Sequence, residues 1–134
     1  MKSPAMLVAG LLAALSTTAF AEPRTFRGEV VDPAAYLKTG QHGPEQEEAT
    51  YEAVDGGQTL ALLEEGTNTV YLFLAEEPGE DPNELAYDYV NRQVTVVGQV
   101  FERGGLKGLV ASSIAPAGTS DDAAPSAAAP PSAN

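Results

Sequence analysis

Residues 92–114 confine the chain to a β architecture more firmly than any other stretch. Between Arg92 and Glu102 the side chains alternate, with Val94, Val96 and Val100 on one face around Gly98 and Thr95, Val97 and Phe101 on the other. A period of two is the period of a strand. Arg103-Gly104-Gly105 then supplies a tight turn, and residues 106–114 a returning strand.

Three more strands are predicted upstream. In residues 25–31, Phe26 and Val30 share a face with Gly28 between them, and residues 58–63 and 68–74 flank the turn Glu64-Glu65-Gly66-Thr67. Asp81-Pro82-Asn83-Glu84 reads as a helix start, with Asp81 as N-cap, Pro82 at the first helical position and Glu84 placed to reach back. Leu85, Ala86, Tyr89 and Val90 then share one helical face, and Asn91 can end the segment. The expected fold is mainly β, a five-stranded OB-fold-like Greek-key barrel with one short helix between strands 3 and 4 and a long loop after strand 1. An internal echo fits it: Gly28-Glu29-Val30-Val31-Asp32 and Gly98-Gln99-Val100-Phe101-Glu102 place a glycine alike, where strongly coiled strands need relief from crowding.

The two ends have other compositions. Lys2, the apolar run from Met6 to Leu15 and Ala19-Phe20-Ala21 read as a secretory signal peptide over residues 1–21, cleaved before Glu22. The apolar run is shorter than the ~20 residues of a membrane span, so no stable anchor is expected after cleavage. Residues 22–115 form the expected domain, and 116–134, rich in Ala, Pro and Ser, a disordered tail. Export places the protein in the periplasm or outside the cell.

Charge and cysteine content exclude several functions. Residues 22–134 carry 6 basic and 19 acidic side chains, a net charge of −13, which removes the cationic neutralisation that nucleic-acid binding requires. The absence of cysteine excludes disulfides, thiolate catalysis and cysteine-ligated metals.

Gly28-Glu29-Val30-Val31-Asp32, Tyr36-Leu37, Gly40, Gly43, Gly56-Gly57 and Val94-Thr95-Val96-Val97-Gly98 together resemble a family of small exported bacterial OB-fold proteins of largely unknown function. The resemblance covers most of the domain and implies the same barrel. It also marks departures: Ala35, Ala49 and Ala53 stand where the family pattern has cysteines, and Gln46 where it has histidine. Any metal or redox chemistry those residues supply in relatives is lost here.

The excursion from Pro33 to Gly57 is the segment most suited to function, because so long a connection in a small domain is a binding loop or disorder. Asp32 is placed to cap a helical turn from Pro33, and residues 45–54 suit a second short helix with Glu48 and Glu52 one turn apart. The excursion brings Tyr36, His42 and Tyr51, and His42, the sole histidine, is a candidate base or ligand. No nucleophile stands at an interpretable spacing from it and no phosphate loop is present, so an enzyme is not expected. Tyr71 and Phe73 share one face of the third strand and Leu72 and Leu74 the other; the aromatic pair is the candidate ligand face of the barrel. The expected function is a non-catalytic exported binding or scaffold module with an acidic surface, its 33–57 loop, acidic rim and barrel face contacting an envelope or extracellular protein or peptide, using Tyr36, His42, Tyr51, Tyr71 and Phe73. The alternative is a divalent-cation protein, with calcium held by Glu76, Glu77, Glu80 and Asp81, since clustered carboxylates suit a hard cation.

Overall fold

The computed structural model describes residues 22–118, so the expected signal peptide and most of the expected tail lie outside the described residues. Five strands, β1 (Arg24–Val31), β2 (Ala61–Glu64), β3 (Val70–Phe73), β4 (Gln93–Arg103) and β5 (Leu106–Pro116), close into a barrel in the order β1-β2-β3-β5-β4. Neighbours run antiparallel except β3 and β5, which pair in parallel through Leu72 with Gly108 and Phe73 with Leu109. The alternation of 92–114 becomes the longest ribbon. Gly104 and Gly105, at φ 62° and 84°, take the two left-handed positions that a two-residue hairpin turn demands.

Closure forces backbone close to backbone at the two echoed glycines. A Cβ on Gly28 would overlap the Leu63 carbonyl, and one on Gly98 the Val110 carbonyl. Near Gly98 the ribbon also carries a bulge: Val97 pairs with Ser113 and Gly98 with Ala111, leaving Ser112 as the extra residue. Its hydroxyl donates to the Val97 carbonyl at 3.0 Å. Bulges increase local twist, as closure of a small barrel needs.

Phe26, Val30, Leu62, Tyr71, Phe73, Val94, Val96 and Leu109 fill the barrel, with Leu60, Ala86 and Val90 buried alongside. A second cluster, Val31, Ala61 and Leu63, lies against Tyr36, Val70 and Leu72.

The long connection after β1 is built rather than loose. It holds α1 (Pro33–Thr39), a 3-10 turn (Pro44–Gln46) and α2 (Glu47–Asp55). Asp32 caps α1 by accepting from the Ala34 N–H at 2.9 Å, and Gly40 ends it at φ 77° with its N–H on the Tyr36 carbonyl. On α2, Thr50 is buried, and Tyr51 and Val54 pack on the barrel core.

The short helix expected between β3 and β4 is not α-helical. Residues 82–86 form turns, followed by a 3-10 turn at Tyr87–Tyr89. Asp81 does act locally, its Oδ1 accepting from the Asn83 N–H at 2.9 Å. The buried Asn83 carboxamide then bonds both the Leu60 N–H (2.7 Å) and the Gln58 carbonyl (3.0 Å). Two tertiary bonds from one side chain outweigh the weak helical preference of two turns. Of the expected apolar face, Ala86 and Val90 are buried, Tyr89 is half-buried, and Leu85 is exposed.

Candidate functional site

The five predicted partner-binding residues separate into three places. Tyr71 and Phe73 face inward, 6% and 2% exposed, and Tyr71 packs its ring on Phe26 with centroids 5.3 Å apart. The expected aromatic ligand face is therefore core, because the inward register of β3 falls on its odd-numbered residues. The Tyr71 hydroxyl instead donates to Glu64 Oε1, a carboxylate that also accepts from Thr67 Oγ1 across the β2–β3 turn.

Tyr36 and His42 meet on the first connection, ring centroids 5.7 Å apart and nearly perpendicular. His42 is held from below by Glu29, a residue of β1 that is 5% exposed. Glu29 Oε1 lies 2.8 Å from His42 Nδ1, and Oε2 accepts from the Gly43 N–H at 2.6 Å and from the buried Asn91 Nδ2 at 3.0 Å. A carboxylate has acceptors only, so His42 offers it the Nδ1 proton and leaves Nε2 as the outer nitrogen. A cleft of about 240 Å³ beside the pair is lined by Glu64, Asn68 and Gln93 among others, and none of its lining side chains is a hydroxyl, thiol or amine. The pair has the base-and-orienter form of acid–base sites without a nucleophile beside it. Through these bonds Glu29 ties the first connection and Asn91 to β1. Sequence reasoning missed Glu29 because strand alternation puts it on the outer face, where the folded connection and Asn91 close over it.

Tyr51 lies apart from both, packed on Tyr87 with its hydroxyl on the Tyr87 carbonyl at 3.0 Å. Burial first, and the neighbouring Glu47 carboxylate second, push this phenol above its ordinary value, so it remains the donor.

The proposed cation ligands do not gather. Glu76, Glu80 and Asp81 line one cleft of about 330 Å³, and Glu77 is not among its walls. Glu80 Oε1 accepts from the Glu77 N–H, and Asp81 is committed to Asn83. Among the described residues no three His, Cys, Asp or Glu side chains are grouped as a metal ion requires.

What the fold does present is an apolar outer face. With Tyr71 and Phe73 inward, Leu72 and Leu74 point outward; Leu74 lies over Gly108, where an added Cβ would overlap it. Leu37 on α1 and Phe101 and Leu106 at the end of the β4–β5 ribbon are 73%, 47% and 60% exposed. These residues border two adjoining clefts of about 250 and 290 Å³ that share Leu72, Leu106 and Lys107. Val70 and Leu72 connect the face inward to the cluster beneath α1. The outward leucines were legible in the strand pattern, but Leu37 and Leu106 join them only through the fold.

Comparison with protein-family models, curated proteins and solved structures finds no match for the chain.

Proposed function

We propose that this protein is a non-catalytic binding module, an OB-type barrel that takes a protein or peptide on the outer face of β3 and the adjoining end of the β4–β5 ribbon. The observation that carries the reading is the continuous apolar face of Leu37, Leu72, Leu74, Phe101 and Leu106 around two clefts. Exposed apolar groups scattered singly are ordinary, whereas a contiguous patch with concave features marks an interaction site. The face joins the first connection, through Leu37, to the barrel wall, the two parts expected to act together. The OB assignment is supported by the order β1-β2-β3-β5-β4 with its parallel β3–β5 contact. Export, expected from residues 1–21, sets the partner in the periplasm or outside the cell.

Tagged protein, recovered from the envelope fraction of its own host, should retain a partner that the Leu37→Asp/Leu106→Asp variant loses and the Tyr51→Phe variant keeps. Retention of the same partner by all three proteins rejects the face.

A further inference from the structure

The charge around the apolar face differs from the rest of the molecule. The charged side chains lining its two clefts are Arg103, Lys107 and Glu102, and Lys38 follows Leu37 on α1. Glu102 is matched by Lys107 at 3.3 Å. Two cations to one acid is the reverse of residues 22–134, which have 6 basic against 19 acidic side chains. The cleft beyond Leu74 is lined by Glu76, Glu80, Asp81 and Glu84, so the change of charge falls at that leucine; at physiological salt charges beyond about 8 Å are largely screened, and a segment seated between Leu72 and Leu106 meets the cations on its own cleft walls.

The shape narrows the occupant. The two clefts, of about 250 and 290 Å³, are open and meet at Leu72, Leu106 and Lys107. Two shallow clefts on either side of a Leu72–Leu106 ridge suit two apolar side chains of one segment. A second copy docking this face on itself would set Arg103 and Lys107 of each chain near those of the other, an arrangement like charges oppose.

From this we infer that the face recognises an acidic, apolar peptide segment: two apolar side chains enter the clefts, and neighbouring carboxylates meet Lys107, Arg103 and Lys38. This rests on the binding reading above and adds the partner's chemistry to it. Lys107, half-buried and on the wall of both clefts, is shared with Glu102, so Arg103 and Lys38 add the positive charge that an acidic segment meets.

The test uses three sets of short labelled peptides with the same alternating Leu and Phe, their remaining positions filled by Asp and Glu, by Ser and Gly, or by Lys and Arg. Anisotropy titration of the purified full chain should give acidic peptides at least about tenfold tighter than neutral ones, with the gap closing at high salt. The Arg103→Glu/Lys107→Glu variant should invert that order. Leu37→Asp/Leu106→Asp should abolish binding of every set. Neutral or basic peptides binding as tightly as acidic ones would overturn the partner class, and loss in the leucine variant would then still uphold the face. Binding unchanged in the leucine variant overturns the face itself. Failure of all three sets, self-association of the chain, or capture by phosphatidylglycerol vesicles without peptide binding overturns the inference in favour of another occupant.

Discussion

Glu29 fastens the first long connection to the barrel, because one buried carboxylate collects Nδ1 of His42, the backbone of Gly43 and the amide of Asn91. Glu29→Ala removes the acceptor and leaves the buried Asn91 amide without it. We expect a loss of about 1–3 kcal/mol in chemical denaturation, with His42→Ala losing less because the imidazole is half-exposed. Equal losses would place the energy in the imidazole rather than in the buried network. Tyr51 gives a pH prediction. A phenol whose folded pKa lies above its unfolded value contributes stability that is present below the unfolded value, near 10, and lost as pH rises through the folded one. Alkaline unfolding should therefore show a limb that Tyr51→Phe flattens, readable as the unfolding midpoint against pH. Neither residue's role was visible in the sequence, since Glu29 and His42 are 13 positions apart and Tyr51 meets Tyr87 across 36.

Elements with local causes were legible. Asp32 with Pro33 reads as a helix start and is one, and the alternation of 92–102 continues as a strand to Arg103. The echoed glycines Gly28 and Gly98 were read as points of crowding, and backbone carbonyls do close on both. Gly28→Ala or Gly98→Ala must move a strand and should cost about 1–3 kcal/mol or more, whereas Gly108→Ala needs only the flexible Leu74 to swing aside and should cost less than about 1 kcal/mol. Thermal or denaturant unfolding of the three variants tests that ranking, and a Gly108→Ala protein as unstable as the other two would contradict it. Two elements were misread for the same physical reason. In residues 81–90 the bonds from Asn83 to Leu60 and Gln58 replaced helical geometry. In β3 the alternation gave two faces, and only closure against β2 and β5 decided that the aromatic one turns inward.

At the scale of the whole molecule, acids and cations are unevenly shared. Between Lys38 and Arg92 lie thirteen acids and no Lys or Arg, and Arg103 and Lys107 stand together where the ribbon meets the outer leucines. No single stretch contains this face, which is assembled from α1, β3 and both strands of the last hairpin; the sequence pattern drew attention to the aromatic side chains of that connection and strand, and only the fold brings their leucines together. The account's central claim is that this face, rather than the acidic surface, meets the partner. The most direct measurement is photo-cross-linking in the native host, with the reactive side chain placed at Leu106, Leu37, Glu84 or Glu48, all exposed positions. The account predicts one shared adduct from Leu106 and Leu37 and none of that mass from Glu84 or Glu48. The same adduct from all four positions, or from the glutamate positions alone, would contradict it.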